Sequence, residues 1–211
     1  SASTGGGIYN YSGNLSISTS TVSGNSASTG GGIRNSGSVS ISSSTVSGNS
    51  ASTGGGIYNS GSLSISNSTV SSNSASTYGG GIFNRSTGSL SISGSSISGN
   101  SAQFGGGIDN RGSLSISSST VSGNSATNGG GVFNSGLASF SGSTLSGNIA
   151  STNGGGIYNR GTLTLSLSTV TLNTASVRGG GIFNYTGFTT VLNSSTVSGN
   201  SAGVEGSNIF P

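Results

Sequence analysis

Apolar and polar residues alternate along this chain in short runs, and the runs return at a fixed interval. In SLSISNSTV, Leu63 and Ile65 alternate with Ser62, Ser64 and Ser66. Alternation with period two predicts a strand buried on one face. Ile57 opens a second short strand and Val70 a third, and the stretches between them, NSGS and SNSAST, consist of turn formers. Three short strands and three turns are therefore expected in each unit.

The unit recurs along the whole chain. GGGI or GGGV, followed by one variable residue and Asn, begins at Gly5, Gly30, Gly54, Gly79, Gly105, Gly129, Gly154 and Gly179, at spacings of 25, 24, 25, 26, 24, 25 and 25 residues. A further copy begins at Gly203 and degenerates into GVEGSNIFP. A period in this range marks a repeat architecture. A phosphate-cradling loop needs one such glycine cluster between a strand and a helix, and eight copies with no helical pattern between them do not fit that chemistry.

Aligned on the glycines, the apolar residues fall into columns. One runs from Ile8 through Ile108 and Val132 to Ile182, a second from Leu15 through Leu114 to Leu163, and a third from Ile17 through Ile116 to Leu192. A fourth runs from Val22 to Val197, and a fifth, all alanine, from Ala27 to Ala202, where a tight corner is expected. Ala138 beside Phe140 exchanges volume between two columns, as a close-packed core tolerates. Additions such as Tyr78, Arg178, NRSTG and NYTGF fall between the columns, at expected corners, so the strands keep their register. The expected fold is all-β: a right-handed parallel β-helix (β-solenoid) of about eight coils of 24–26 residues, with residues 1–211 as one repeat domain.

Composition refines this reading. Glycine supplies 42 of 211 residues and charged residues 3%. A chain so rich in Gly and Ser ordinarily stays disordered, but the strict apolar period argues for order. The net charge of +3 reflects a lack of acids more than a basic patch. Arg34, Arg85, Arg111, Arg160 and Arg178 lie in different repeats, and no nucleic-acid partner is expected. The chain has no Cys, hence no disulfide and no thiolate metal site. It contains no apolar run of about 18 residues, so no transmembrane helix is expected. It opens at Ser1 in mid-pattern, which suggests a processed product or part of something longer.

Catalytic chemistry finds few candidate groups. Asp109 and Glu205 are the only side-chain carboxylates, about four coils or 19 Å apart, too far to flank one glycosidic bond. With no His, Cys or Lys, a Ser nucleophile has no usual base. No enzyme activity, catalytic residue, cofactor or metal is expected. Asp109 and Arg111 are expected to form a surface ion pair.

Three polar or aromatic patterns accompany the core. Asn10, Asn35, Asn59, Asn84, Asn110, Asn134, Asn159 and Asn184 form one column, and Asn25, Asn49, Asn73, Asn100, Asn124, Asn148, Asn173 and Asn200 another. Both are expected to be structural corner ladders, since Asn suits turns and stacked amides bond from rung to rung. The position after the column-one Ile gives Tyr9, Arg34, Tyr58, Phe83, Asp109, Phe133, Tyr158 and Phe183. Without Asp109, this is a candidate stripe for lateral or ligand contacts, unless its rings stack to shield the sheet. Third, Ser16, Ser18, Ser40, Ser42, Ser64, Ser66, Ser91, Ser93, Ser115 and Ser117 form an outward hydroxyl lattice.

The repeat GGGI[YF]N, [SLT]LSIS, STVSGNSA resembles those of bacterial right-handed β-helix surface proteins, and among them the chlamydial polymorphic outer-membrane proteins. Their repeats pair GGA[ILV] with FxxN. Here GGGI stands where GGAI would, and FxxN is not kept as such. The resemblance implies an elongated, secreted passenger used in adhesion.

Together these observations lead to the expectation of an extracellular or cell-surface, non-enzymatic structural solenoid, the building block of a fibre or stalk. Head-to-tail self-association is expected, because solenoid ends without capping helices expose unpaired backbone. The alternatives are an adhesin binding host surfaces or surface carbohydrate, and an ice-binding protein using the Ser/Thr lattice.

Overall fold

A computed structural model describes residues 2–211. Among the described residues every regular element is a strand. The fifth coil shows the plan. Ile108–Asn110, Ser113–Ser117, Thr120–Ser122 and Ser125–Asn128 follow one another around the coil. Each pairs in parallel with its counterparts one coil away. Ile108 lies between Ile82 and Val132, Leu114 between Leu90 and Ala138, and Val121 between Ile97 and Leu145. Repeated along the chain, this pairing builds four parallel sheets of nine, eight, eight and nine strands, in the order the strands occur within the coil. The protein is a parallel β-solenoid of about eight turns.

Each coil thus has four strands, not the three expected. The additional one is the Ala segment, read from sequence as a corner. It carries one small inward residue, and Ala126 lies in register between Ala102 and Ala150. No large apolar residue advertises this strand. Its backbone is nonetheless held by the coils on either side, whose N–H and C=O groups need partners whatever the side chains are.

The inward columns meet in one continuous core. Ile57, Leu63, Ile65 and Val70 are each 1% exposed or less. Phe140, the largest fully buried side chain, fits because its neighbour two residues back is only Ala138. The glycine triplet is where one coil enters the next. Gly105 adopts φ +63°, a left-handed conformation that L side chains rarely take. Gly106 lies against the carbonyl oxygens of Ser125 and Gly130, leaving no room for a Cβ.

The additions are handled in two ways. Tyr78 is absorbed as a bulge inside the strand Ser74–Tyr78, not at a corner. The register shift stays local, since Ile82 still pairs with Ile57. The additions after Asn84 and Asn184 form exposed turns between the first and second sheets, closed by Gly88 N–H to Arg85 C=O at 2.7 Å and Phe188 N–H to Tyr185 C=O at 2.9 Å.

Candidate functional site

Both Asn columns are continuous hydrogen-bonded ladders. In the first, each Nδ2 from Asn10 to Asn159 donates to Oδ1 of the Asn one coil on, at 2.8–3.0 Å. These Asn end the first strand and face inward beside the core, all but Asn10 buried, and they bond the backbone of the turn that follows, as Asn35 Nδ2 does to Gly37 C=O and Gly37 N–H to Asn35 Oδ1. The second column occupies the corner between the third and fourth strands. Its links from Asn25 to Asn200 measure 2.9–3.0 Å.

A third ladder is of serine. The Oγ atoms of Ser44, Ser68, Ser95, Ser119, Ser143, Ser168 and Ser195 each accept the N–H of the equivalent Ser one coil earlier, at 3.0–3.2 Å. Ser44 Oγ in turn donates to Ser42 C=O at 2.7 Å. Among so many serines this column was not apparent. Its signal is that Ser precedes the Thr-Val, Thr-Leu or Ser-Ile pair in all eight repeats.

The position after the column-one Ile forms a stack down the first sheet. Phe133, Tyr158 and Phe183 follow one another at 4.8 Å between centroids, and Phe183 lies on Phe210 at 5.2 Å with planes 2° apart. The Arg34 guanidinium sits between Tyr9 and Tyr58, 5.3 and 5.2 Å from their centroids. Tyr58 then meets Phe83 at 5.2 Å. Of the two readings, an open stripe or rings stacked to shield the sheet, the rings do stack, and the stripe is largely covered. Phe83, Phe133 and Phe183 are buried, Arg34, Tyr58 and Tyr158 half-buried, and only Tyr9 is exposed. Rings one rung apart cover each other, which leaves mainly edges for contact. The outward Ser16, Ser40, Ser64, Ser91 and Ser115 do stack in register on an exposed face of the second sheet.

Asp109 interrupts the ring stack and is not at the surface. It is fully buried, bonded by Arg111 Nε at 3.1 Å and a second Arg111 nitrogen at 3.4 Å. Tyr78 and Phe104, immediately before two glycine triplets, bridge the gap. Tyr78 contacts Phe83 at 6.0 Å and Phe104 at 5.6 Å, and Phe104 contacts Phe133 at 5.4 Å. The Arg111 guanidinium lies 4.1 Å from the Tyr78 centroid. The expected surface pair is thus a half-covered cation on a buried carboxylate.

Burial pushes the Asp109 carboxyl up to about 6, against the pull of Arg111. The folded protein then holds this proton more tightly than the unfolded chain, whose Asp titrates near 3.8. Stability attributable to Asp109 is highest below pH 4, falls as pH rises to about 6, and is level above that. The difference is at most about 3 kcal/mol. Asp109→Asn is expected to raise the melting temperature at pH 7.5 and to flatten its fall between pH 4 and 7. A variant that keeps the wild-type pH profile would place the titration elsewhere.

The five arginines are spread over the repeats, yet three of them share one corner. The N–H groups of Arg85, Arg111, Ser135, Arg160 and Tyr185 donate to Asn59, Asn84, Asn110, Asn134 and Asn159 C=O, at 2.7–2.8 Å. These residues are therefore successive rungs of one column. The signal was available as Asn-Arg at 84–85, 110–111 and 159–160. Beside them runs a groove of about 700 Å³, with Ser86 and Thr87 at one end and Phe188 at the other. Arg111, Ser135, Leu137 and Arg160 line the stretch between. A smaller cavity of about 150 Å³ lies where Arg111 and Arg160 meet Tyr78, Phe104 and Phe133.

The profile of the Chlamydia polymorphic membrane protein (Chlamydia_PMP) repeat matches residues 142–160. That span holds Ser143, Asn148 and Asn159, one member of each ladder, together with the glycine triplet at Gly154. Searches of curated proteins and of solved structures returned no match. By its repeat and its stacked parallel strands, the chain is a β-helix repeat protein similar to the Chlamydia polymorphic membrane protein repeat, a repeat associated with bacterial outer-membrane and surface proteins.

Proposed function

We propose that this chain is a non-enzymatic architectural module of an extracellular stalk or fibre, one that stacks end to end with further copies. The observation that carries the reading is the unbroken run of four parallel sheets through every coil, with buried ladders on the inside. Stacks of this kind derive stability from nearest-neighbour interfaces. Similarity to a surface-protein repeat supports the location. Both side-chain carboxylates are engaged by arginine, Asp109 by Arg111 and Glu205 by Arg178 at 3.2 Å, an arrangement unlike an acid–base pair. Ile8, Leu15 and Val22 in the first coil, and Val197 and Ile209 in the last, are only partly buried. A further coil in the same phase would cover them whichever chain supplies it, and supplied by another copy such a head-to-tail contact propagates.

Electron microscopy over a concentration series tests this. The expected result is filaments one solenoid wide that lengthen with concentration. Isolated particles at every concentration, with a monodisperse monomer by light scattering, would contradict end-to-end assembly.

A further inference from the structure

We propose that the groove along the arginine corner binds an acidic polysaccharide bearing a uronate on every second sugar, with successive carboxylates on Arg111 and Arg160. This goes beyond the architectural reading and does not depend on end-to-end stacking.

Four features of the groove carry the inference. The first is charge: Arg111 and Arg160 both line it, and the one nearby carboxylate, Asp109, is fully buried beneath Arg111. Arg111 is fixed in place by Asp109 and by the Tyr78 ring, so it presents its remaining donors from a preset position. Arg160 is exposed, and its guanidinium lies 5.6 Å from the Phe133 centroid. A planar fork of this kind suits a carboxylate, which it can hold through two parallel bonds.

The second feature is spacing. Arg111 and Arg160 are two rungs apart in the corner column, with Ser135 between them. Two rungs amount to about 10 Å, close to the disaccharide repeat of an extended polysaccharide. A chain lying along the solenoid axis would then place one acid on each Arg and a neutral sugar over Ser135, whose hydroxyl can bond it.

The third feature is apolar surface where sugar faces would rest. Leu137 is 59% exposed and stands between Ser113 and Thr162 in an otherwise polar outward column. Phe188 is 40% exposed at the groove's end. Each offers apolar surface to the C–H face of a pyranose. Fourth, the groove is bounded along the axis by the two projecting turns, one carrying Ser86 and Thr87 and the other Phe188. That shape favours a short extended segment over a broad protein surface.

The test is isothermal titration of the full chain with three probes: a hyaluronan tetrasaccharide, whose two uronates match the two arginines and whose length of about 20 Å matches the four rungs between the turns, neutral cellotetraose, and an oligothymidylate of similar length. Hyaluronan is expected to bind, the other two much more weakly. Arg160→Ala should weaken hyaluronan binding about tenfold or more, from the loss of a charged hydrogen-bonding partner. Phe188→Ala should weaken it several-fold, whereas Arg178→Ala, which removes the same charge away from the groove, should leave it unchanged. Both Arg160 and Phe188 are exposed, and circular dichroism of each variant checks that the solenoid persists. Failure of hyaluronan to bind would overturn the proposal, as would equal binding of cellotetraose. Oligothymidylate binding as tight as hyaluronan would replace it with a general polyanion surface. Equal losses in Arg160→Ala and Arg178→Ala would do the same.

Discussion

Gly106→Ala is expected to be among the most damaging single substitutions in this protein, costing more than about 3 kcal/mol. A Cβ there would press on two backbone carbonyls, those of Ser125 and Gly130. Neither oxygen can yield alone. Gly130 belongs to the next coil, and that interface is held by Gly106 N–H to Gly129 C=O at 3.1 Å and Gly107 N–H to Gly130 C=O at 3.2 Å. Relief would require prising the coils apart. Gly123→Ala separates this cause from backbone conformation. Gly123 has φ +62° but nothing within 4 Å of its Cβ position. Its substitution should cost only the left-handed penalty of about 1–2 kcal/mol. Urea unfolding of both variants makes the comparison. Equal losses would mean that the crowding at Gly106, whose φ is not left-handed, costs no more than the left-handed φ at Gly123.

Asn124→Ala is expected to cost about 3–6 kcal/mol, from two or three buried groups left unpaired at about 1–3 kcal/mol each. Asn124 Oδ1 accepts both the N–H and the side-chain amide of Asn100, at 3.0 and 2.9 Å. Its Nδ2 donates to Ile97 C=O and to Asn148 Oδ1, both at 3.0 Å. Asn124 and its neighbours Asn100 and Asn148 are all 0% exposed, so water cannot replace these partners. Because each coil is stabilised by the next, the break should also weaken coupling across the fifth coil. Amide exchange should show faster opening at Asn100 and Ile97 than at residues three coils away. A loss under about 1 kcal/mol would mean that the amide ladder contributes little beyond filling space.

Much of this architecture was legible in the sequence, because a parallel stack converts sequence period into vertical alignment. Ile8 through Ile182 had only to be aligned on the glycines to predict a shared column. The fourth strand was missed for a physical reason. Ala126 is flanked by Ser and Thr, so no contrast in hydrophobicity marks a strand that its neighbours' backbones hold in place. The burial of Asp109 depends on Tyr78, Phe104 and Arg111 meeting above it. Nothing in the local pattern of alternation encodes that cover. The arginine corner was legible in principle, as Asn-Arg in three repeats, but its meaning lay in stacking: residues 24 to 26 apart in sequence became neighbours one rung apart. Burial separates the ring column from this corner. Stacked rings shield one another, whereas the turns beside Arg85 and Tyr185 project and frame open space.

The central claim is that these coils form one rigid stack in register, and a single distance tests it most directly. The chain contains no Cys, so Ser16→Cys with Thr164→Cys permits clean spin labelling at two outward positions of the second sheet. Pairing passes from Ser16 through Ser40, Ser64, Ser91, Ser115 and Ser139 to Thr164, which makes six rungs. At about 4.8 Å per rung the backbone separation is about 29 Å. Pulsed electron–electron double resonance should give one narrow distribution near that value, broadened only by the label linkers. A broad distribution, or one centred far from it, would contradict the stacked solenoid and the architectural role drawn from it.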